Sequence, residues 1–129
     1  LVDAMLGGNA ARTDLFFAQL IARGTNMQAI LSTVTRQLSQ FLEQRNAMER
    51  DNKTAAAAVA SAKPPVFFAR KALVERILAD TSVATFLSYL AKVQEAVLES
   101  RRNAALAEAI VNRTFLAIAV QQNRSRPRR

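Results

Sequence analysis

The chain has 129 residues, enough for one domain with a buried core, and half of them are apolar although aromatics make up only 6%. Three glycines and three prolines disfavour a turn-rich β fold, and the lack of cysteine and histidine excludes a thiolate nucleophile, a Ser-His-Asp triad, a thiolate or imidazole zinc site and a disulfide framework. The formal charge of +8 is unevenly placed: Arg124, Arg126, Arg128 and Arg129 lie in the last six residues, and the body without them carries about +4 beside ten acids.

Residues 1–8 read as the end of a preceding helix or a linker, and Leu1 in place of a starting Met points to a fragment or processed chain. Gly7-Gly8 supplies the left-handed residue that commonly stops a helix, and Asn9 caps the next one. There Phe16 and Leu20 share a face with Phe17 and Ile21, and Gly24-Thr25-Asn26 is a tight connection to an antiparallel neighbour. From Asn26 to about Arg50, Met27, Ile30, Leu31, Val34, Leu38, Phe41, Leu42 and Met48 recur at three and four, with Gln28, Arg36 and Glu43 opposite, which predicts a long amphipathic helix. Asp51 to Thr54 interrupts it, and Thr54 can cap the alanine-rich stretch Ala55 to Ala62, read either as a helix allowing close packing or as a low-complexity linker.

In Lys63-Pro64-Pro65-Val66-Phe67-Phe68-Ala69-Arg70-Lys71 the prolines end one helix before Lys63 and open another near Pro65. Val66, Leu73 and Ile77 with Phe67, Val74 and Leu78 make its apolar face; Phe68 falls toward the polar side, available to a partner with Arg70 and Lys71 as its rim. Asp80-Thr81-Ser82 is a further stop and cap, followed by a stripe of Val83, Phe86, Leu87, Leu90, Val93, Val97 and Leu98. Asn103 can cap a last helix reaching about Gln121, whose segment Phe115 to Val120 is apolar on every side. One core covers only part of such a helix, so Phe115, Leu116, Ile118 and Val120 are candidate partner-interface residues.

No strand pattern, repeat, glycine-rich phosphate loop or signal-peptide order is present, and no run of about 18 apolar residues predicts a membrane span. Glu95 and Glu99 could share an ion by helical spacing, but Lys92 and Arg102 beside them fit a solvated face better. Residues 9–50 fail as a helix-turn-helix because the second helix is far too long and has few cations at its start. The expected architecture is all-α, a single bundle of about five or six helices over residues 9–121, with residues 122–129 a basic disordered tail that is either merely solvated or touches phosphate or an acidic partner.

Taken in order, a long helix ending in a charged break, an alanine-rich stretch, the segment Lys63 to Lys71, a helix with Val74 to Leu78 and then Leu87-Ser88-Tyr89-Leu90 resembles the C-terminal domain of the delta subunits of bacterial DNA polymerase III, a family of clamp-loader subunits. In that family a proline-aromatic-basic segment opens a helix, and a following leucine-rich helix ends in an acid and then a basic residue. Leu87, Leu90, Glu95 and Arg101 occupy similar places here, with Glu95 where aspartate is more usual, and the arginine tail has no assigned counterpart. Leu15 to Leu42, with Gly24 between a short and a long helix, is also similar, so the likeness spans residues 9 to about 120.

The resemblance implies a clamp-loader collar-like bundle with a structural role: holding the subunit in the complex that loads the sliding clamp onto DNA during replication. It implies the C-terminal domains of gamma/tau and delta-prime subunits as partners, contact with the sliding clamp only through an N-terminal region outside this sequence, DNA engaged indirectly, no membrane, and a cytoplasmic location in bacteria. It implies no catalytic, metal or cofactor site in this domain, although the holoenzyme is a nucleotidyltransferase. The alternative from charge alone is a small basic helical nucleic-acid-binding protein.

Overall fold

The computed structural model describes residues 1–61 and 68–125, so the Lys63 to Phe67 part of the proline junction and Arg126, Arg128 and Arg129 lie outside the described residues. The fold is all-α, 87% helical and without strands among the described residues. The helices are α1 (Val2–Leu6), α2 (Ala10–Ala22), α3 (Met27–Arg50), α4 (Ala55–Ala60), α5 (Lys71–Asp80), α6 (Val83–Arg102) and α7 (Ala107–Ser125), with 3-10 turns at Phe68–Arg70 and Ala104–Leu106 leading into α5 and α7.

Local chemistry sets these boundaries. The Oδ1 atom of Asn9 accepts from the Arg12 amide at 2.9 Å, that of Asn26 from the Gln28 amide at 2.8 Å, and the Thr54 and Ser82 hydroxyls accept from the amides three residues on. Each satisfies a donor that the first helical turn leaves unpaired. Asn103 caps differently from expectation: it precedes the 3-10 turn and makes no side-chain capping bond.

Three connections share one stop. Gly8, Gly24 and Asn52 all have positive φ, and in each the amide of the following residue reaches back five positions, Asn9 to the Ala4 carbonyl, Thr25 to Leu20 and Lys53 to Met48, at 2.8 to 3.0 Å. The two glycines differ in their surroundings. A Cβ on Gly8 would lie 2.9 Å from the Asn123 Cα of α7, whereas one on Gly24 would meet nothing within 4 Å. Gly24→Ala is therefore expected to cost about 1 kcal/mol for the left-handed backbone alone, and Gly8→Ala more than about 2 kcal/mol, since α7 must also move. Urea melts of the two variants check this, and equal losses would contradict it.

α6 packs against both α3 and α7, α1 and α2 lie on α7, and α4 lies on α5 and α3. Phe41 of α3 stacks on Phe86 of α6 with centroids 6.0 Å apart, and Phe17 of α2 meets the Phe115 ring edge-on at 5.8 Å. The long α3 stripe is buried as expected at Ile30, Leu31, Val34, Leu38, Phe41 and Met48, and α5 buries Val74, Ile77 and Leu78. Arg45 of α3 donates to the Leu78 carbonyl at 2.7 Å, supplying a partner at the C-terminal end of α5 where cations are favoured.

The face of α6 differs from expectation. Phe86, Tyr89, Val93, Ala96 and Ser100 are buried, while Leu87 and Leu98 are 52% and 53% exposed. The buried Tyr89 hydroxyl donates to the Gln122 side-chain oxygen at 2.7 Å, and the Gln122 amide donates to the Thr81 hydroxyl at 2.7 Å. A polar chain of this kind lets Tyr, Thr and Gln occupy positions that hydropathy alone assigns elsewhere.

Both ends of the domain also need correction. Residues 1–8 hold a helix stopped at Gly7-Gly8, as one of the two readings has it, but α1 belongs to this bundle, with Val2, Met5 and Leu6 in the core. At the other end α7 runs to Ser125, and Gln122 is buried rather than part of a tail.

Tyr89 is the only tyrosine and there is no tryptophan, so phenolate absorbance reports this site alone. Burial pushes its hydroxyl from 10.0 up to about 12. The folded state holds the phenolic proton more tightly than the unfolded state does. The stabilisation is therefore complete below about pH 10 and lost as pH rises through about 12, on the order of 2 kcal/mol. The native chain should ionise near pH 12 and the urea-unfolded chain near 10; a native midpoint near 10 would mean the hydroxyl is not enclosed.

Candidate functional site

The seven candidate interface residues fall into three groups. Phe68 is 89% exposed on its 3-10 turn, with exposed Lys71 at the start of α5. Arg70 is instead committed within the domain, its Nε and Nη2 donating to the two Asp3 oxygens of α1 at 2.7 and 2.8 Å. This bidentate geometry ties α1 to α5. The Asp3 oxygens and the guanidinium remain partly solvated, so Arg70→Ala is expected to cost no more than about 1 kcal/mol, measured by urea melts.

On α7 the apolar run divides by helical phase. Val111, Phe115, Ile118, Ala119 and Gln122 turn inward and are buried, so Phe115 and Ile118 are core residues and offer nothing to a partner. Leu116 is half-buried, Ala117 is exposed and Val120 is 41% exposed. With Arg113, Gln121 and Arg124 they line a shallow groove of about 640 Å³.

A second groove, about 760 Å³, lies where α2 meets the start of α7. Phe17, Ala18, Ile21, Ala22 and Leu106 give it apolar walls, and Asp14 and Glu108 give it an acidic rim. The Asn112 amide donates to Asp14 Oδ1 at 3.1 Å, while its own Oδ1 is buried without a hydrogen-bond partner. This groove was hidden in the sequence because five of its eleven lining residues are alanine, which marks helix but no face.

The outward Leu87 and Leu98 add apolar surface on α6. Lys92 is partly occupied within the domain, donating to the Gln121 side-chain oxygen at 2.7 Å and lying 6.0 Å from the Tyr89 ring centroid. Among the described residues no group of three or more His, Cys, Asp or Glu side chains is placed to hold a metal ion.

Against the expectation of no membrane span, one helical stretch, Ala104–Ser125, is long and apolar enough to cross a membrane by length and composition. In the bundle its inward side is occupied by protein, with Val111, Phe115 and Ile118 wholly buried. Compared with models of protein families, with curated proteins and with solved structures, the chain matches none.

Proposed function

We propose that the domain works by binding other proteins, as the collar domain of a delta-type clamp-loader subunit held among its neighbours in the bacterial cytoplasm. The observation that carries the partner-binding part is the pair of apolar grooves along α7, one rimmed by Asp14 and Glu108 and the other by Arg113 and Arg124, beside a core already filled by Phe86, Phe115 and Ile118. Apolar surface rimmed by charge is the usual anatomy of a protein interface. Two such surfaces of opposite rim charge suit a subunit with a different neighbour on each.

The clamp-loader part rests on the sequence resemblance across the Lys63 to Lys71 junction, the Leu87 to Leu90 run and the short-then-long pair α2 and α3. On this reading the domain needs no nucleotide or metal. A complex with the C-terminal domains of gamma/tau and delta-prime subunits should form at micromolar concentration and survive raised salt, because apolar burial is insensitive to screening.

The nucleic-acid alternative is supported by the arginines from Arg113 to the C-terminus. It predicts the reverse: DNA binding that falls steeply as salt rises, and no complex with the subunits. Sedimentation of the chain with each candidate, at low and high salt, separates the two.

A further inference from the structure

We infer that the groove on the outer face of α7 receives one helix of a protein partner, carrying a three-turn apolar ridge with a carboxylate at each end. The inference rests on the partner-binding reading and specifies the chemistry of what binds. The groove is bounded by two adjacent rows of α7, Arg113-Ala117-Gln121 and Leu116-Val120-Arg124, each with members four residues apart. The furrow between two such rows is the shape into which the corresponding row of another helix packs. Ala117, small and central, lowers one wall so that a large apolar side chain can approach the α7 backbone, with Leu116 and Val120 as the other wall.

The cations stand at opposite ends, eleven residues apart, which on a helix is about 16 Å. Neither guanidinium has a hydrogen bond or ion pair among the described residues. From residue 109 to 129 the sequence holds five arginines and no acid, so this stretch supplies no counter-charge of its own. A carboxylate beside each arginine would complement the groove. A bilayer surface has no ridge to enter it, and a phosphate backbone would leave Leu116 and Val120 without apolar contact.

The test uses the full chain and two helix-stapled peptides of three turns, identical in their leucine ridge and carrying either glutamate or lysine at both ends. At low salt the glutamate peptide should bind about tenfold tighter than the lysine peptide, with NMR shifts centred on Leu116, Ala117 and Val120. The double variant Arg113→Glu, Arg124→Glu should melt like the parent and reverse the preference. Failure of the glutamate peptide to bind, equal affinities or an unreversed preference would overturn the inference. So would displacement of the peptide by phosphatidylglycerol vesicles or single-stranded DNA at lower concentration than unlabelled peptide. Should the peptides discriminate while no clamp-loader subunit co-sediments, the collar assignment falls and the ligand chemistry of the groove stands.

Discussion

Phe115→Ala is expected to lower the unfolding free energy by about 3 to 5 kcal/mol. Its ring has no solvent exposure and meets Phe17 edge-on, so truncation opens a cavity between α2 and α7 that helices fixed by their other contacts cannot collapse. Val120→Ala, five residues on and facing outward, should change stability by less than about 0.5 kcal/mol. Urea melts of both variants check the partition of α7 into an inner and an outer face; similar losses at the two positions would show that the helix is rotated from the orientation described.

Gln122→Ala should cost about 2 to 4 kcal/mol, because it strips partners from two other buried groups at once. The Tyr89 hydroxyl loses its acceptor and the Thr81 hydroxyl loses the amide that donates to it, in a place water does not reach. The neighbouring Gln121→Ala removes only a partly exposed acceptor for Lys92 and should cost under about 1 kcal/mol. The contrast is again read from urea melts, and a Gln122→Ala loss no larger than that of Gln121→Ala would mean the buried chain contributes nothing net.

Where sequence and structure agree, the cause is local. Asn9, Asn26, Thr54 and Ser82 start helices because a short polar side chain can reach an unpaired amide within one turn, and that chemistry is written in adjacent residues. The three-four spacing from Ile30 to Met48 identifies the buried face of α3 because large side chains mark one side only.

The misplacements on α6 and α7 have a different origin. Leucine at 87 and 98 outweighs tyrosine at 89 and serine at 100 on any hydropathy count, yet Tyr89 is buried because Gln122, 33 residues away, accepts from its hydroxyl while donating to Thr81. A partner so distant in sequence cannot be seen from α6 alone. The sequence places Gln122 in a tail for the same reason, its neighbours Asn123 and Arg124 being polar and its partners Tyr89 and Thr81 far away along the chain. That the last helix is more apolar than one core can cover was legible in the sequence, but which of its residues face outward was not. Phe115 and Ile118 went inward, Arg70 was taken by Asp3, and the rim arginines 113 and 124 acquire meaning only once their rows flank Leu116 and Val120.

We propose that the outer face of α7 is a partner surface separate from the core. Sedimentation of the chain with the C-terminal domains of gamma/tau and delta-prime subunits, wild type against the double variant Ala117→Glu, Val120→Glu, tests it most directly. A complex with wild type and its loss in the double variant at unchanged melting temperature are expected. No complex with wild type at micromolar concentration, all components folded, or an equally strong complex with the variant, would contradict it.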